Sequence, residues 1–357
     1  MSLRHKILRA ALFGAALPLA AALGSHPAYA SDPLPGDAVA PPVNINIALY
    51  YNELETAGQV SAAHGSSDSN NTRIAADIQV ARFVHTFDVG GMEAGVQAYV
   101  PYVSFLGPQE AGVSNIAAPA PGFPAFGPGK ASLSHASGFG QPNFGIFAFP
   151  INDPATGTYL AVGPWISPPV SGYSQNATLN PGNNTWTYEM EAGFRKILFG
   201  TLTTKNLAIE VWGEGYFFGD NNHAGDVSPE VSANNIPALY QGFGITNPLQ
   251  KASSTPASFH EQPSEEVRVY LPYQFYPASG ATITPGLYQS FGGKQTYTLR
   301  NGDKVDSGNR TNETQLRLTA ATFLSPTWAV MAIGEYDVAS HGGPLERNVE
   351  LRLATFF

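Results

Sequence analysis

The 357 residues include no cysteine. Disulfide staples, thiolate metal centres and thiol nucleophiles are therefore excluded. Basic residues are scarce, with 18 Lys and Arg against 27 Asp and Glu. Nucleic-acid recognition needs clustered positive charge, so no nucleic-acid partner is expected. Beyond residue 30 no stretch approaches the roughly 18 consecutive apolar residues of a spanning helix. Helical periodicity is almost missing. There is no Gly-x-Ser-x-Gly elbow, no His-Glu-x-x-His pair and no Walker loop. These patterns give no reason to expect a catalytic residue, a cofactor or a metal site, and the chain is not read as an enzyme.

What is present begins with a leader. "MSLRHKILR" is basic, "AALFGAALPLAAALG" is apolar, and "AYA" (residues 28–30) offers small residues to a signal peptidase. Residues 1–30 read as a secretory signal cleaved after Ala30. The leader holds Arg4, Lys6 and Arg9 and no acid, so the remaining chain is still more acidic. Residues 31–42, "SDPLPGDAVAPP", read as a periplasmic N-terminal linker.

From residue 43 to 357 the recurring pattern is period-two alternation, the mark of strands with two unlike faces. In "NTWTYEMEAGF", Trp186, Tyr188, Met190, Ala192 and Phe194 oppose Thr187, Glu189, Glu191 and Gly193. In "EEVRVYLPYQF", Val267, Val269, Leu271, Tyr273 and Phe275 oppose Glu266, Arg268, Tyr270 and Gln274. "VNINIALYYN" sets Val43, Ile45, Ile47, Leu49 and Tyr51 against Asn44, Asn46, Tyr50 and Asn52. Twelve such segments lie near 43–56, 72–87, 92–105, 138–150, 157–172, 184–198, 204–219, 259–276, 281–292, 309–324, 327–340 and 345–357. Long and short connections alternate until the last. A soluble sandwich has no reason for that rhythm, whereas a membrane barrel has short periplasmic turns and long outer loops. Each segment also exceeds the roughly 9–11 residues needed to cross the hydrocarbon.

The expected fold is all-β, a transmembrane antiparallel up-and-down barrel of about 12 strands. Ten or fourteen are compatible with the same segments. The location is the cell outer membrane, with membrane lipids as partners. The apolar parity is assigned to lipid and the polar parity to the lumen. That places Arg73, Glu93, Glu189, Glu191, Arg195, Glu210, Glu214, Glu266, Arg268, Arg317, Glu335, Asp337, Glu350 and Arg352 inside, as candidates for lining a transport path. Aromatics near segment ends, among them Tyr50, Tyr51, Tyr102, Phe105, Trp186, Phe217, Phe323 and Trp328, resemble interfacial girdles.

Several blocks occur in an order that resembles the outer-membrane transporter family named for the MetA pathway of phenol degradation. They are "GDAVAPPVNINIALYYNE", "FDVGGMEAGVQAYVPY", "SGFGQPNFGIFAFPIND", "YLAVGPWISPPVSGY", "NPGNNTWTYEMEAGF", "EVWGEGYFFGDNN" and "YQSFGGKQT". Gln141 stands where the family more often has aspartate, and residues 223–259 form a long insertion. The resemblance implies passive uptake of small hydrophobic or aromatic compounds. Two other readings remain beside it: a lipid-modifying barrel enzyme, and a structural barrel acting through its outer loops. Two loop clusters hold residues of the kind that form sites. His64, Ser66 and Asp68 could suggest a hydrolase, and Asp220, Asn221, Asn222 and Asp226 a calcium site. Both read better as solvated loop and turn chemistry.

The chain ends "VELRLATFF". Leu351, Leu353, Thr355 and Phe357 share the lipid parity and resemble the closing-strand signal read by the outer-membrane assembly machinery. Deleting Phe357 should therefore reduce the amount of heat-modifiable, membrane-inserted protein in cells. The solute flux of molecules that do insert should be unchanged. Normal assembly after the deletion would remove this reading.

Overall fold

A strand with one apolar and one polar face is stable in a bilayer only when both edges are paired. In the computed structural model, residues 32–60, 71–113, 129–224, 230–231, 257–298, 304–310, 312–341 and 343–357 are described. The leader and the His64–Asp68 loop cluster lie outside them, as do Asp226 and most of 223–259.

Twelve antiparallel strands form the wall. They are β1 (Asn46–Val60), β2 (Ile74–Val89), β3 (Met92–Phe105), β4 (Asn143–Asp153), β5 (Thr158–Ser167), β6 (Thr187–Phe199), β7 (Asn206–Phe218), β8 (Ser264–Tyr270, continued by Tyr273–Tyr276), β9 (Ala281–Phe291), β10 (Asn312–Ser325), β11 (Trp328–His341) and β12 (Pro344–Phe356). Each pairs with its neighbour in sequence, and β12 pairs with β1 from Ile47↔Phe356 to Val60↔Pro344. The ring is closed, as the alternation predicts. Short turns gather at one end, which is the periplasmic one. At the turn between β2 and β3, Gly90 and Gly91 take φ of 63° and 91°, a region other residues enter at a cost. The Asp88 carboxylate accepts the Gly91 N–H at 3.1 Å.

Three of the prolines fall where the ladder can spare a donor, whereas Pro164 and Pro285 stay within β5 and β9, opposite Met190 and Leu318. Pro272 divides β8, Pro168 lies beyond β5, and Pro101 lies past the last β3–β4 pair, Tyr99↔Asn143.

The outward face carries a band of exposed apolar side chains, including Phe83, Val96, Ile146, Met190, Leu287, Leu316, Leu318, Val349 and Leu351. Phe357 is 66% exposed at the periplasmic rim. Two expectations need correction here. On β1 the assignment of faces is inverted: Ile47, Leu49 and Tyr51 are buried inside, while Tyr50 and Leu54 face out. Alternation separates two faces but does not name them, and this part of the lumen is itself apolar. Tyr51 therefore belongs to no girdle. Residues 32–42 are also not a linker hanging in the periplasm, because they run into the barrel.

Leu318 sits midway along β10 on the outer face, so Leu318→Arg should destabilise the inserted barrel by about 2–4 kcal/mol. Denaturant unfolding in lipid vesicles measures this. An effect below about 1 kcal/mol would contradict the lipid assignment.

Candidate functional site

The segment from Asp32 to Pro42, here called the strap, suits a lumen. Prolines at 33, 35, 41 and 42 remove backbone donors that would otherwise need partners. The remaining chain makes a tight bend: Asp37 N–H donates to Leu34 O at 3.0 Å, and Val39 N–H to Gly36 O at 3.0 Å. Gly36 has φ of 99°, which a side chain would strain. Leu34 packs with Ile47, Leu49, Tyr51, Val84 and Tyr99, and Ala38 with Phe149, Ala161, Trp212 and Tyr270.

Charge fixes the strap at three points. Asp37 meets Arg82 at 3.1 Å and both terminal nitrogens of Arg352 at 3.2 Å. Asp32 meets Arg268 at 2.7 Å and Arg317 at 3.2 Å. Between them, the fully buried Glu210 accepts the Gly36 N–H at 3.0 Å and the Ala38 N–H at 3.4 Å. Glu210 also accepts from Arg195 Nη1 and Trp212 Nε1, each at 2.9 Å. The strap thus crosses from the β2–β12 wall, past β7, to β8 and β10.

The guanidinium groups are held by more than the strap. Arg268, fully buried, also pairs with Glu214 and with Glu266 at 2.7 Å. Arg317 binds Glu335 at 3.2 Å and Gln315 at 2.6 Å. The Tyr288 ring lies between these two arginines, 4.8 Å from each. Arg82 stacks over Tyr99 and hydrogen-bonds Tyr51 and Gln97. The Tyr270 hydroxyl donates to Pro33 O at 3.0 Å.

Thirteen of the fourteen charged residues expected inside do lie on the lumen side, from Glu93 on β3 to Arg352 on β12. Arg73 is the correction. It is exposed at the outer rim just before β2, bridged to Glu110 through backbone hydrogen bonds of 2.7 and 2.8 Å. Sequence reasoning missed Asp32, Asp37 and Arg82, and also Glu53, Glu55, Glu313 and Glu346. A pair of aspartates in a proline-rich run ahead of a strand set containing unmatched arginines was the available signal.

Beneath the strap, toward the periplasm, lies a chamber of about 470 Å³. Ile47, Val84, Phe147, Phe149, Trp165 and Trp212 line it with the strap prolines. Three of its aromatic rings lie flat against the wall for a simple reason. Each of these three faces a glycine across the ladder: Phe147 opposite Gly95, Trp165 opposite Gly145, Trp212 opposite Gly193. Tyr270, above the chamber, faces Gly286 in the same way. A Cβ at any of these glycines would overlap the ring.

At the opposite end, two outer loops fold over the mouth. Leu133 and Leu179 pack on Ala57, Val60 and Ile74. Gln141 fastens these loops together: its Nε2 donates to Pro168 O and Thr185 O, and its Oε1 accepts from the Asn183 N–H at 2.8 Å. In the outer cluster the Asn221 side chain is engaged locally: it accepts from Asn184 and from the His223 N–H and donates to Asn183 O.

The closed wall, the apolar outer band and the charged, strapped lumen define an integral β-barrel of the cell outer membrane. The chain belongs to the family described as putative MetA-pathway of phenol degradation, whose model matches residues 57–246. Among solved structures it is similar to an outer-membrane channel from Pseudomonas putida F1. That likeness has 20% identity and a TM-score of 0.68, and covers 91% of this chain and all of that one. The transport unit of the autotransporter AIDA-I from Escherichia coli follows at 8% identity and a TM-score of 0.45, covering 97% and 99%. A mutant of the TodX monoaromatic hydrocarbon channel follows at 7% identity and a TM-score of 0.41, covering 88% and 90%. No curated protein matches the sequence.

Burial pushes the Asp32 carboxyl up, but Arg268 and Arg317 outweigh it and hold it below its ordinary value of 3.8. For Asp37, burial is likewise outweighed by Arg352 and Arg82. Both groups thus favour docking above the ordinary carboxyl range, and that contribution is lost as pH falls through their lowered values. A spin label at Val39 should be immobile from about pH 8 to about pH 5 and become mobile only in stronger acid. Asp37→Asn together with Asp32→Asn should mobilise it at pH 7. An immobile label in that variant would contradict the ionic anchoring.

Proposed function

We propose that this barrel is a passive channel for small hydrophobic or aromatic compounds, with the strap as its constriction. The observation that carries this reading is the aromatic chamber. A lumen walled by arginines and carboxylates has no structural need for flat indole and phenyl surfaces around an open space. About 470 Å³ falls within the usual range for small-molecule sites and suits a single-ring solute. Twelve strands enclose a narrower bore than a 16-stranded porin, which disfavours a wide aqueous pore. Movement would run down the solute's own gradient. The phenol-degradation description of the family points to the same class of solute.

A lipid-modifying enzyme finds less support. His260 and Asp220 pair at 2.7 Å in the outer segments, but among the described residues no serine hydroxyl bonds His260. The assembly machinery remains the expected partner of the β12 terminus, which presents Leu351 and Leu353 outward with Phe357 at the rim.

Flux into liposomes containing the refolded barrel tests the proposal. Alkyl phenols and aromatic acids should enter faster than sugars of similar mass. Asp32→Asn/Asp37→Asn should raise aromatic flux several-fold, and Trp165→Ala/Trp212→Ala should erode the preference over sugars. Absence of flux for every solute in both wild type and the strap variant would sink the channel reading. Equal passage of sugars would sink the solute assignment.

A further inference from the structure

Near the outer mouth, β10, β11 and β12 bring Glu313, Asp337 and Glu346 together on the lumen side. Their carboxylate oxygens lie within 4.8 Å of one another, and all three residues are buried. The wall is specially shaped there. The β10–β11 register slips between Thr314↔Ala339 and Gln315↔Asp337, leaving Val338 unpaired. A bulge of this kind re-aims side chains, and here both Asp337 and Ser340 face inward. The β11–β12 ladder ends at Tyr336↔Arg347, and the next N–H, that of Glu346, donates to Asp337 Oδ2 at 2.6 Å.

Two neutral oxygens adjoin the triad without partners. Ser340 lies directly opposite Glu313, which brings two inward side chains within about 5 Å at Cβ. Its Oγ is buried and makes no hydrogen bond. Asn348 shares the lumen face two residues beyond Glu346. Its Nδ2 is used by Glu335 at 3.2 Å, and its buried Oδ1 has no partner. Glu55, opposite Asn348 on β1, hydrogen-bonds the Glu346 carboxyl.

A second triad in the same lumen provides a contrast. Asp32, Glu214 and Glu266 also converge, and the Arg268 guanidinium sits among them. No described arginine, lysine or histidine forms an ion pair with Asp337, Glu346 or Glu55. Asp337 and Glu346 thus bring negative charge and neighbouring spare oxygens together with no ion-paired cation of their own among the described residues.

We propose that the rim triad binds a calcium ion. Glu313, Asp337 and Glu346 supply the charged oxygens, with Glu55, Ser340 Oγ and Asn348 Oδ1 beside them. Hard oxygen donors in an irregular set of about six suit calcium, whereas magnesium demands near-ideal octahedral geometry. The ligands come from four strands that include both sides of the β12–β1 seam, so the ion ties that seam at the outer end. No sequence spacing could announce such a site, because its residues are dispersed over β1, β10, β11 and β12.

Calorimetric titration of the chelator-stripped, detergent-refolded full chain tests this with calcium chloride alone. One ion should bind per barrel, with Kd on the order of 0.1–1 mM, and magnesium at least about tenfold more weakly. Asp337→Asn/Glu346→Gln should abolish binding while heat-modifiable migration shows an intact barrel, and Ser340→Ala should weaken it about threefold or more. Absence of saturable binding by wild type up to roughly 10 mM would overturn the proposal. So would unchanged binding in the folded double variant. If the double variant does not fold, unchanged affinity in Ser340→Ala overturns it instead.

Discussion

In hydrocarbon no water replaces a missing strand partner, so the first and last strands must meet. The β1–β12 ladder from Ile47 to Val60 satisfies that demand and governs the organisation of the interior. Closing the sheet creates an inner surface cut off from lipid and only partly open to water. Charges projecting there must find counter-charges, and apolar residues there must find one another or a ligand. The strap is the chain's answer to both needs at once. Its two aspartates engage four arginines, and Leu34 and Ala38 complete two apolar clusters. Stripping one partner from such buried pairs typically costs about 3–5 kcal/mol. The strap is therefore a structural part of the lumen rather than a passing tail.

The lumen is layered along its axis. Flat aromatics and aliphatics lie at the periplasmic end, arginine–aspartate anchors at mid-depth, and carboxylates with few arginines near the outer rim. Leu133 and Leu179 cover the β1–β2 side of the mouth. A solute entering from outside meets acid first and hydrocarbon-like surface last, with the strap between. In a twelve-stranded bore these zones are close enough for each to act on the same small molecule.

Much of this was legible in the sequence. Glu189, Glu191, Arg195, Glu210 and Arg268 alternate with apolar neighbours so cleanly that their inward direction follows from pleating alone. The strand segments and the alternating loops fixed the barrel for the same local reason. What escaped was non-local. Ile47 and Leu49 look like lipid-facing residues because the pattern records a difference between faces, not its sign. Asp37 shows no period and sits in a proline run that looks like a linker. Its role exists only through Arg352, which lies 315 positions away in the chain. The rim carboxylates are likewise scattered and gain meaning only when a bulge turns Asp337 and Ser340 to one side.

The cross-strand glycines carry a further implication. Gly95, Gly145 and Gly193 lie behind the rings of Phe147, Trp165 and Trp212, where nothing passing through the lumen can touch them. Each nonetheless sets how far its ring recedes into the wall. A single added methyl at one of them would lift a ring toward the axis and reduce the calibre locally. Relatives of this chain could diverge in the size of molecule they admit while every residue in contact with that molecule stayed the same. Diversity in permeation would then be written in positions a solute never meets.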